Sequence, residues 1–419
     1  MSILFYILIF YSFVFHWYPY FFPWASPDQP TAPLLIIISR DILFILVLAV
    51  CFFKMAATGY REKKPVCRPA SSVFLLYFLL FIFMLAGALH TNFMEFIQHN
   101  MRNMMMYMFT IPLFFYMANN YDEGISIKLS KIFVGMGALL SLFGIYTFLF
   151  VDRELLWGGV RVYSFMGNPN TFGTFLIIPS LIAISLVLQE TSARLKIIMG
   201  GLVVINCIAL IITISFQSFI SFILATCLLV FLIKGRKFVL SFSVMLALLV
   251  VLFYFIYEYY HVFIDFIFFK LEDPTSTSYT GRIEQFHYIL DQLKEIKNWP
   301  LGVFGLKEYM LFDNQYYNIF INNGLFAVIL YLAPPFLILF LGLKFRNRVV
   351  ADESPWFVGI YLSGLVFLVI TLLVTANLTA FMQRYPINLY FFLLLSIILH
   401  SVCKKTTKTE SGTIEEKGT

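Results

Sequence analysis

Apolar residues run in long blocks along this chain, and short polar stretches separate the blocks. Windows of about 20 apolar residues, the length that crosses a bilayer as a helix, predict twelve membrane-spanning helices. They fall near 2–22, 34–53, 71–90, 104–118, 132–151, 170–189, 197–213, 216–233, 238–257, 316–342, 356–376 and 386–402. The sequence SFQSF at 215–219 has two interpretations, a turn between two helices or a kink within one. If it were a kink, every later helix would cross the membrane in the opposite direction.

Composition agrees with this pattern. Apolar residues make up 60% of the 419 residues, charged residues 12%, and the mean hydropathy is +0.85. Such a chain cannot cover itself with a polar surface in water. We therefore expect an all-α polytopic integral membrane protein with one transmembrane domain over residues 1–403. The polar tail KKTTKTESGTIEEKGT, residues 404–419, is predicted to be disordered in the cytoplasm.

Lysine and arginine are distributed unevenly between alternate connections. Nineteen of the 29 lie in 54–68, 128–131, 194–196, 234–237, 344–348 and after 403, which share one side of a twelve-helix arrangement. Because basic connections stay in the cytoplasm, both termini are predicted to be cytoplasmic. The net charge of +6 thus reflects topology, and no nucleic-acid partner is expected.

Polar residues collect on the opposite, outer side, at the ends of predicted helices. They include Arg161, Asn168, Asn170, Arg282, Asp313, Asn314 and Arg384. Since outer connections are usually depleted of arginine, the set favours an outward-facing site. For any single member, an interfacial side chain in water is the alternative.

The stretch VRVYSFMGNPNTFGTF, residues 160–175, joins two apolar blocks. It places Arg161 just outside a predicted helix, and Asn168-Pro169-Asn170 forms the turn at which the chain re-enters the bilayer. Asparagine amides at such a turn can satisfy backbone groups that lipid cannot.

The outer interval 258–315 contains an amphipathic pattern of about 18 residues that begins near Thr280 and ends before Pro300. We expect this helix to lie flat on the outer membrane surface or over the mouth of a cavity. With Thr280 as N-cap, Arg282 lies in the first turn, where free N–H groups and the helix dipole favour a phosphate or diphosphate. A solvated arginine is the alternative.

Two further acidic residues are candidates for binding or proton transfer. Asp313 precedes a predicted membrane helix and can orient an acceptor hydroxyl, take its proton or pair with an arginine, or it can cap the helix. Asp41 lies within the second predicted helix beside Arg40. Arg40 lies near the outer end of this helix, so snorkelling to the headgroups is one interpretation of it. Asp41 is expected to face the bundle interior and to pair with an arginine or a polar backbone group.

The sequence gives no sign of a metal or nucleotide site. The five cysteines lack metal-ligand spacing and an outer pair, and glycine-rich phosphate loops are absent from the sequence. No metal or cofactor is therefore expected.

Three pieces in this order, RVYSFMGNPNTFGTF, TGRIEQFHYILDQLKEIKNWPLGVFG and DNQYYNIFINNGLFAVILYL, resemble the O-antigen ligase and Wzy-type polysaccharide polymerase superfamily. The resemblance implies a glycosyltransferase of the GT-C type that works on undecaprenyl-diphosphate-linked glycans at the outer face of the bacterial cytoplasmic membrane. It also implies a flippase and a chain-length-determining co-polymerase as partners. In this family Arg161 and Arg282 match arginines that hold the lipid diphosphate.

Two departures refine the resemblance. Ligases of the family carry a histidine-asparagine pair where this chain has Asp313-Asn314, which favours a polymerase. Many members begin one helix with a serine-arginine pair where this chain has Gln217 and Ser218. The expected reaction is metal-independent and inverting, with Arg161, Arg282 and Asp313 as catalytic residues. Candidate substrate-binding residues are Asn168, Asn170, Asn314, Tyr317, Arg384 and Asp41. An O-antigen ligase, a protein oligosaccharyltransferase and a lipid-linked sugar flippase are the alternatives.

Overall fold

The computed structural model describes residues 2–13, 34–59, 68–88, 124–150, 161–235, 277–303, 314–375 and 386–415. In these ranges the chain forms helices and connecting turns and no β-strand. The helices are α1 (Ser2–Phe13), α2 (Leu34–Gly59), α3 (Arg68–Ala88), α4 (Ile125–Phe150), α5 (Pro169–Gln189), α6 (Ala193–Ile212), α7 (Phe216–Lys234), α8 (Thr277–Lys294), α9 (Gln315–Asp352), α10 (Pro355–Ile370) and α11 (Ile387–Glu415).

Eight of the described helices are long and apolar enough to cross a membrane: α3, α4, α5, α6, α7, α9, α10 with its π-helical extension Thr371–Thr375, and α11. The prediction of an all-helical, polytopic membrane protein is thereby confirmed in its coarse form. The predicted helices 104–118 and 238–257 lie outside the described residues. The count of twelve and the GT-C architecture therefore stay predictions.

The core lies along α5, α10 and α11, whose apolar side chains are buried on nearly every face. The α5 helix packs against α4, α6, α7 and α10. Large apolar side chains on the surrounding helices are exposed, for example Leu139 and Phe150 on α4 and Phe340 on α9. Exposure of these side chains is the arrangement that a hydrocarbon solvent favours.

The polar break at 213–215 is a complete reversal of the chain. Ser218, at the start of α7, donates from Oγ to the Asn170 carbonyl oxygen at the start of α5, at 3.3 Å. Lys234, at the end of α7, donates from Nζ to the Leu188 carbonyl oxygen near the end of α5, at 3.2 Å. Since α7 runs alongside α5 from end to end, α6 and α7 are two separate helices and not one kinked helix.

The α9 helix is broken near its start. At about 1.5 Å per residue a straight 38-residue helix would be nearly twice as long as the ~30 Å hydrocarbon core. Gly324 has φ 84° and ψ 173°, which divides α9 into a short first segment and a long second one. Asn318, Asn322 and Asn323 lie buried on the first segment.

The α8 helix has the predicted length of 18 residues but a different start. It begins at Thr277, three residues before the predicted cap Thr280. Arg282 therefore lies in the second turn, beyond the unpaired N–H groups of the first turn. The expected position of Arg282 at the helix N-terminus is wrong, because the hydroxyl-rich stretch before Thr280 joins the helix.

The apolar face of α8 packs against α9. Ile289 forms a small core with Phe320 and Ile321, and Tyr288 and Leu293 pack around it. Phe286 and Leu290 remain exposed beside this contact. The helix is thus attached to the bundle through the first segment of α9.

The polar tail continues the last helix. The α11 helix extends past residue 404 and ends at Glu415, and the disordered cytoplasmic tail expected for residues 404–419 stays a prediction. A membrane helix supplies an existing hydrogen-bonded turn, so the costly nucleation step is already made. Thr406 Oγ1 also donates to the Val402 carbonyl oxygen at 2.9 Å.

Close packing of α5 on α7 depends on Gly173. A Cβ atom there would lie 2.7 Å from both Cβ and Oγ of Ser218. Gly173→Ala is expected to lower the free energy of unfolding by about 1–3 kcal/mol, the usual cost of overpacking. Thermal unfolding in detergent measures this. Gly201→Ala is the control, because a Cβ on Gly201 meets no atom within 4 Å; equal losses from both variants would contradict the packing argument.

Candidate functional site

Arg161 joins three parts of the bundle. Its Nε donates to the Thr213 carbonyl oxygen at the end of α6, at 3.1 Å. Its Nη2 donates to Oδ1 of Asn170 in the first turn of α5, at 2.9 Å. The next residue, Val162, donates from its backbone N–H to the Ile212 carbonyl oxygen at 3.2 Å. The guanidinium is thus fixed in place at one end of the bundle.

Among the described residues, the charge of Arg161 has no acidic neighbour. Both acceptors are neutral, and within the described part of the chain no carboxylate contacts the guanidinium. Burial lowers the pKa of Arg161 to about 10, so the group remains cationic at neutral pH. Partly buried cations normally pair with an anion. This guanidinium retains N–H donors for an anionic ligand.

The NPN turn forms the start of α5. Gly167 is in the left-handed region with φ 70°, and Asn168 is the N-cap. Asn168 Oδ1 accepts from the backbone N–H groups of Asn170 at 2.8 Å and of Thr171 at 3.4 Å. Pro169 occupies the first helical position, where its missing donor costs nothing. Asn168 thus satisfies the helix end, and the side chain of Asn170 is left to hold Arg161.

A chain of hydroxyl groups supports Asn170 from the other side. Ser215 is the N-cap of α7, and its Oγ lies 2.8 Å from Oγ of Ser218. Ser218 Oγ donates to the Asn170 carbonyl oxygen and lies 3.4 Å from Oγ1 of Thr174. Ile214 between the helices has φ 49°, a left-handed conformation that is costly for a β-branched residue. The turn that presents the Thr213 carbonyl oxygen to Arg161 is thus held by surrounding contacts.

Two helix N-termini therefore meet beside one cation. The starts of α5 and α7 are joined through Ser218 and Asn170, and each carries the positive end of a helix dipole. Arg161 binds the side chain of the same asparagine. All three features favour a negatively charged ligand at this end of the bundle.

The start of α9 forms a second polar group. Asn314 is its N-cap, and Oδ1 accepts from the backbone N–H groups of Tyr316 at 2.8 Å and of Tyr317 at 3.2 Å. The Tyr316 hydroxyl donates to the Leu372 carbonyl oxygen in the π-helical extension of α10. Tyr317 packs around the small core shared with α8. The capping role suggested for Asp313 thus belongs to Asn314.

Arg40 and Asp41 on α2 form an ion pair with each other. Asp41 Oδ1 accepts from Arg40 Nε and Nη2, each at 2.9 Å. Arg40 is buried, which favours the interpretation without snorkelling to the headgroups. The expected pairing of Asp41 with an arginine is confirmed. Packing joins α2 to α1.

The structure thus brings together part of the predicted site. Arg161, Asn168 and Asn170 form one group, and Asn314 and Tyr317 form another. Asp313 and Arg384 lie outside the described residues, as does the side chain of Arg282.

Sequence reasoning missed Thr213 and Ser215 as parts of this site. The signal was the run of hydroxyl residues TISFQS between two apolar blocks. By itself this run is compatible with a turn or a kink, and it does not predict a contact with Arg161.

No protein-family model and no curated protein sequence matches this chain. The chemistry assigned to the site therefore depends on its own geometry. That geometry provides a fixed cation, two helix N-termini and amide and hydroxyl groups, which suit a phosphate or diphosphate.

Proposed function

We propose that this protein is a membrane glycosyltransferase that polymerises undecaprenyl-diphosphate-linked oligosaccharide repeat units of a surface polysaccharide. The observation that carries the proposal is Arg161, a largely buried cation that two neutral acceptors hold and no described carboxylate neutralises. A lipid diphosphate supplies the missing negative charge. The distribution of basic residues supports an outward-facing site in the bacterial cytoplasmic membrane, with both termini in the cytoplasm.

The reaction is a single displacement at the anomeric carbon. A hydroxyl oxygen of the acceptor glycan forms the new glycosidic bond as the bond from the anomeric carbon to the diphosphate oxygen breaks. The electron pair of the broken bond stays on the leaving undecaprenyl diphosphate. Arg161, and Arg282 in the same proposal, neutralise the growing negative charge by charge-assisted hydrogen bonds. Asp313 takes the hydroxyl proton, and the anomeric configuration inverts.

The remaining residues bind the two glycans. Asn170 orients Arg161, and Asn168 holds the turn that contains Asn170. In the proposal Asn314 and Tyr317, at the start of α9, bind the acceptor, with Tyr317 stacking on a sugar ring. Arg384 and Asp41 stay candidates for substrate contacts. A flippase that delivers repeat units and a chain-length-determining co-polymerase are the proposed partners.

Reconstitution tests the assignment. The purified protein is placed in vesicles with undecaprenyl-diphosphate-linked repeat units, and products are resolved by gel electrophoresis. A ladder of lipid-linked polymer is expected from the unaltered protein. Transfer of the glycan to a non-lipid acceptor would indicate a ligase or oligosaccharyltransferase. Movement of the lipid-linked repeat unit across the vesicle membrane without polymer formation would indicate a flippase. Either of these results would overturn the polymerase proposal.

A further inference from the structure

The loop that follows α8, residues 295–303, crosses the break in α9, and the main chains of the two segments are in direct contact. Val303 N–H donates to the Ile321 carbonyl oxygen at 2.8 Å. In the opposite direction, the Trp299 carbonyl oxygen accepts from the N–H groups of Leu325 at 2.8 Å and of Phe326 at 3.4 Å. These bonds satisfy groups that the break in α9 removes from the helical ladder, which a membrane helix cannot leave unpaired.

Two glycines make this crossing possible. Gly302 has φ 90°, and a Cβ there would lie 2.4 Å from the Ile321 carbonyl oxygen. Gly324 has φ 84°, and a Cβ there would lie 2.4 Å from the Trp299 carbonyl oxygen. Each glycine therefore meets the other segment's backbone, in a conformation that other residues rarely adopt. Neither position accepts a side chain without moving main chain.

The loop is also fixed to α8 itself. Trp299 Nε1 donates to the Leu293 carbonyl oxygen at 2.9 Å. Asn298 Nδ2 donates to the Gln292 carbonyl oxygen at 3.2 Å and to its Oε1 at 2.9 Å. Together with the apolar contact of Ile289 on α9, these bonds hold the helix, the loop and the broken helix at three places.

We infer that the crossing of Gly302 and Gly324 is a positioning element that keeps α8 and the first segment of α9 together as one rigid body during the reaction. The inference rests on the proposed function, because α8 contains Arg282 and Asp313 precedes Asn314, the N-cap of α9, in the sequence. The crossing thereby keeps α8 and the first segment of α9 at a constant separation. With this crossing, α8 keeps a fixed position beside the site. It does not open and close as a lid would.

Glycine variants test the positioning role. Gly302→Ala and Gly324→Ala are each expected to reduce polymer turnover by about 10²-fold, the usual effect of a misplacement near 1 Å. The half-saturating concentration of the lipid-linked repeat unit is expected to change by less than about threefold, because Arg161 lies outside the crossing. Gly200→Ala and Gly201→Ala are the controls, since a Cβ at either site meets no atom within 4 Å. Unaltered turnover in both crossing variants would overturn the inference.

A reversible lock tests rigidity without disturbing either glycine. In a chain whose five native cysteines are replaced, Val303→Cys and Ile321→Cys are combined and the pair is oxidised. Turnover within about twofold of the reduced form is expected, because the locked segments already move together. Turnover that is lost on oxidation and restored by a reducing agent would show that α8 must separate from α9, and would overturn the inference.

Hydrogen exchange gives an outcome that is independent of the reaction. The amides of Val303 and Leu325 are expected to exchange slowly in the unaltered protein and at least tenfold faster in the Gly302→Ala protein, since local opening exposes them. Fast exchange of both amides in the unaltered protein would overturn the inference even if polymer forms. Slow exchange in a protein that forms no polymer would leave the rigid crossing in place and refute only the proposed function.

Discussion

Arg161→Gln is expected to slow polymer growth strongly and to leave the protein at least as stable to heat as the unaltered chain. The described contacts of Arg161 are neutral oxygens, at 3.1 Å on Thr213 and 2.9 Å on Asn170. Burial lowers the pKa of the guanidinium to about 10, so retaining the charge below that pH costs folding free energy. Glutamine removes this cost and retains an amide donor.

The loss of turnover is expected to be about 10²–10³-fold, comparable to the removal of one oxyanion donor from an active site. Initial rates of polymer growth and thermal unfolding in detergent are the two measurements. Arg161→Lys retains the charge but loses the planar two-point contact, and an intermediate rate is expected. A protein with Arg161→Gln that unfolds far below the unaltered chain would assign Arg161 to structure and not to an anion site.

Arg346→Gln is the matched control for this substitution. Arg346 also donates from Nη2 to an asparagine Oδ1 at 2.9 Å, that of Asn347, but this pair is exposed on α9. An exposed cation has little desolvation cost, so neither stability nor polymer growth should change appreciably. Equal effects of the two substitutions would indicate a general response to lost charge.

The positions of several described membrane helices follow from apolar runs alone, because a helix that contacts both lipid and the protein core needs apolar residues on every side. For this reason the windows at 170–189 and 216–233 nearly coincide with α5 and α7. The reversal between α6 and α7 was not decided by pattern. A turn and a kink use the same hydroxyl residues, and only the contacts of Ser218 and Lys234 with α5 distinguish them.

The break in α9 was beyond sequence reasoning for a related reason. Asn-Gly inside an apolar run signals a weak point, but the conformation of Gly324 depends on the Trp299 carbonyl oxygen, which lies 25 positions earlier. The start of α8 was misplaced because several hydroxyl residues before Arg282 are equally good caps. Tertiary contacts and competing caps are thus the two causes of error.

The sequence predicted which residues belong to the candidate site but not how these residues contact one another. Arg161, Asn168 and Asn170 stood out because they are polar residues at the edge of an apolar run. The different roles of Asn168 and Asn170 did not follow from the sequence. Two asparagines that flank a proline have the same local pattern, yet Asn168 caps the helix and Asn170 holds the arginine.

This division makes Asn170→Asp the sharpest test of the site. The substitution retains the shape of the side chain and places a carboxylate 2.9 Å from Nη2 of Arg161, where an amide oxygen now lies. The new ion pair is expected to stabilise the folded protein, because it neutralises a largely buried cation. It is also expected to exclude the substrate diphosphate by direct competition for the guanidinium, with a fall in turnover of about 10²-fold or more.

Polymer growth, thermal unfolding and inhibition by inorganic diphosphate are measured together. Asn347→Asp is the matched control, since it places a carboxylate beside Arg346 at the same 2.9 Å distance on an exposed surface, and it should leave all three quantities unaltered. Higher thermal stability with lost diphosphate inhibition in Asn170→Asp would identify the Arg161 guanidinium as the anion-binding group. Full turnover of the Asn170→Asp protein would show that the substrate does not bind the Arg161 guanidinium. One guanidinium cannot neutralise both the new carboxylate and the substrate diphosphate.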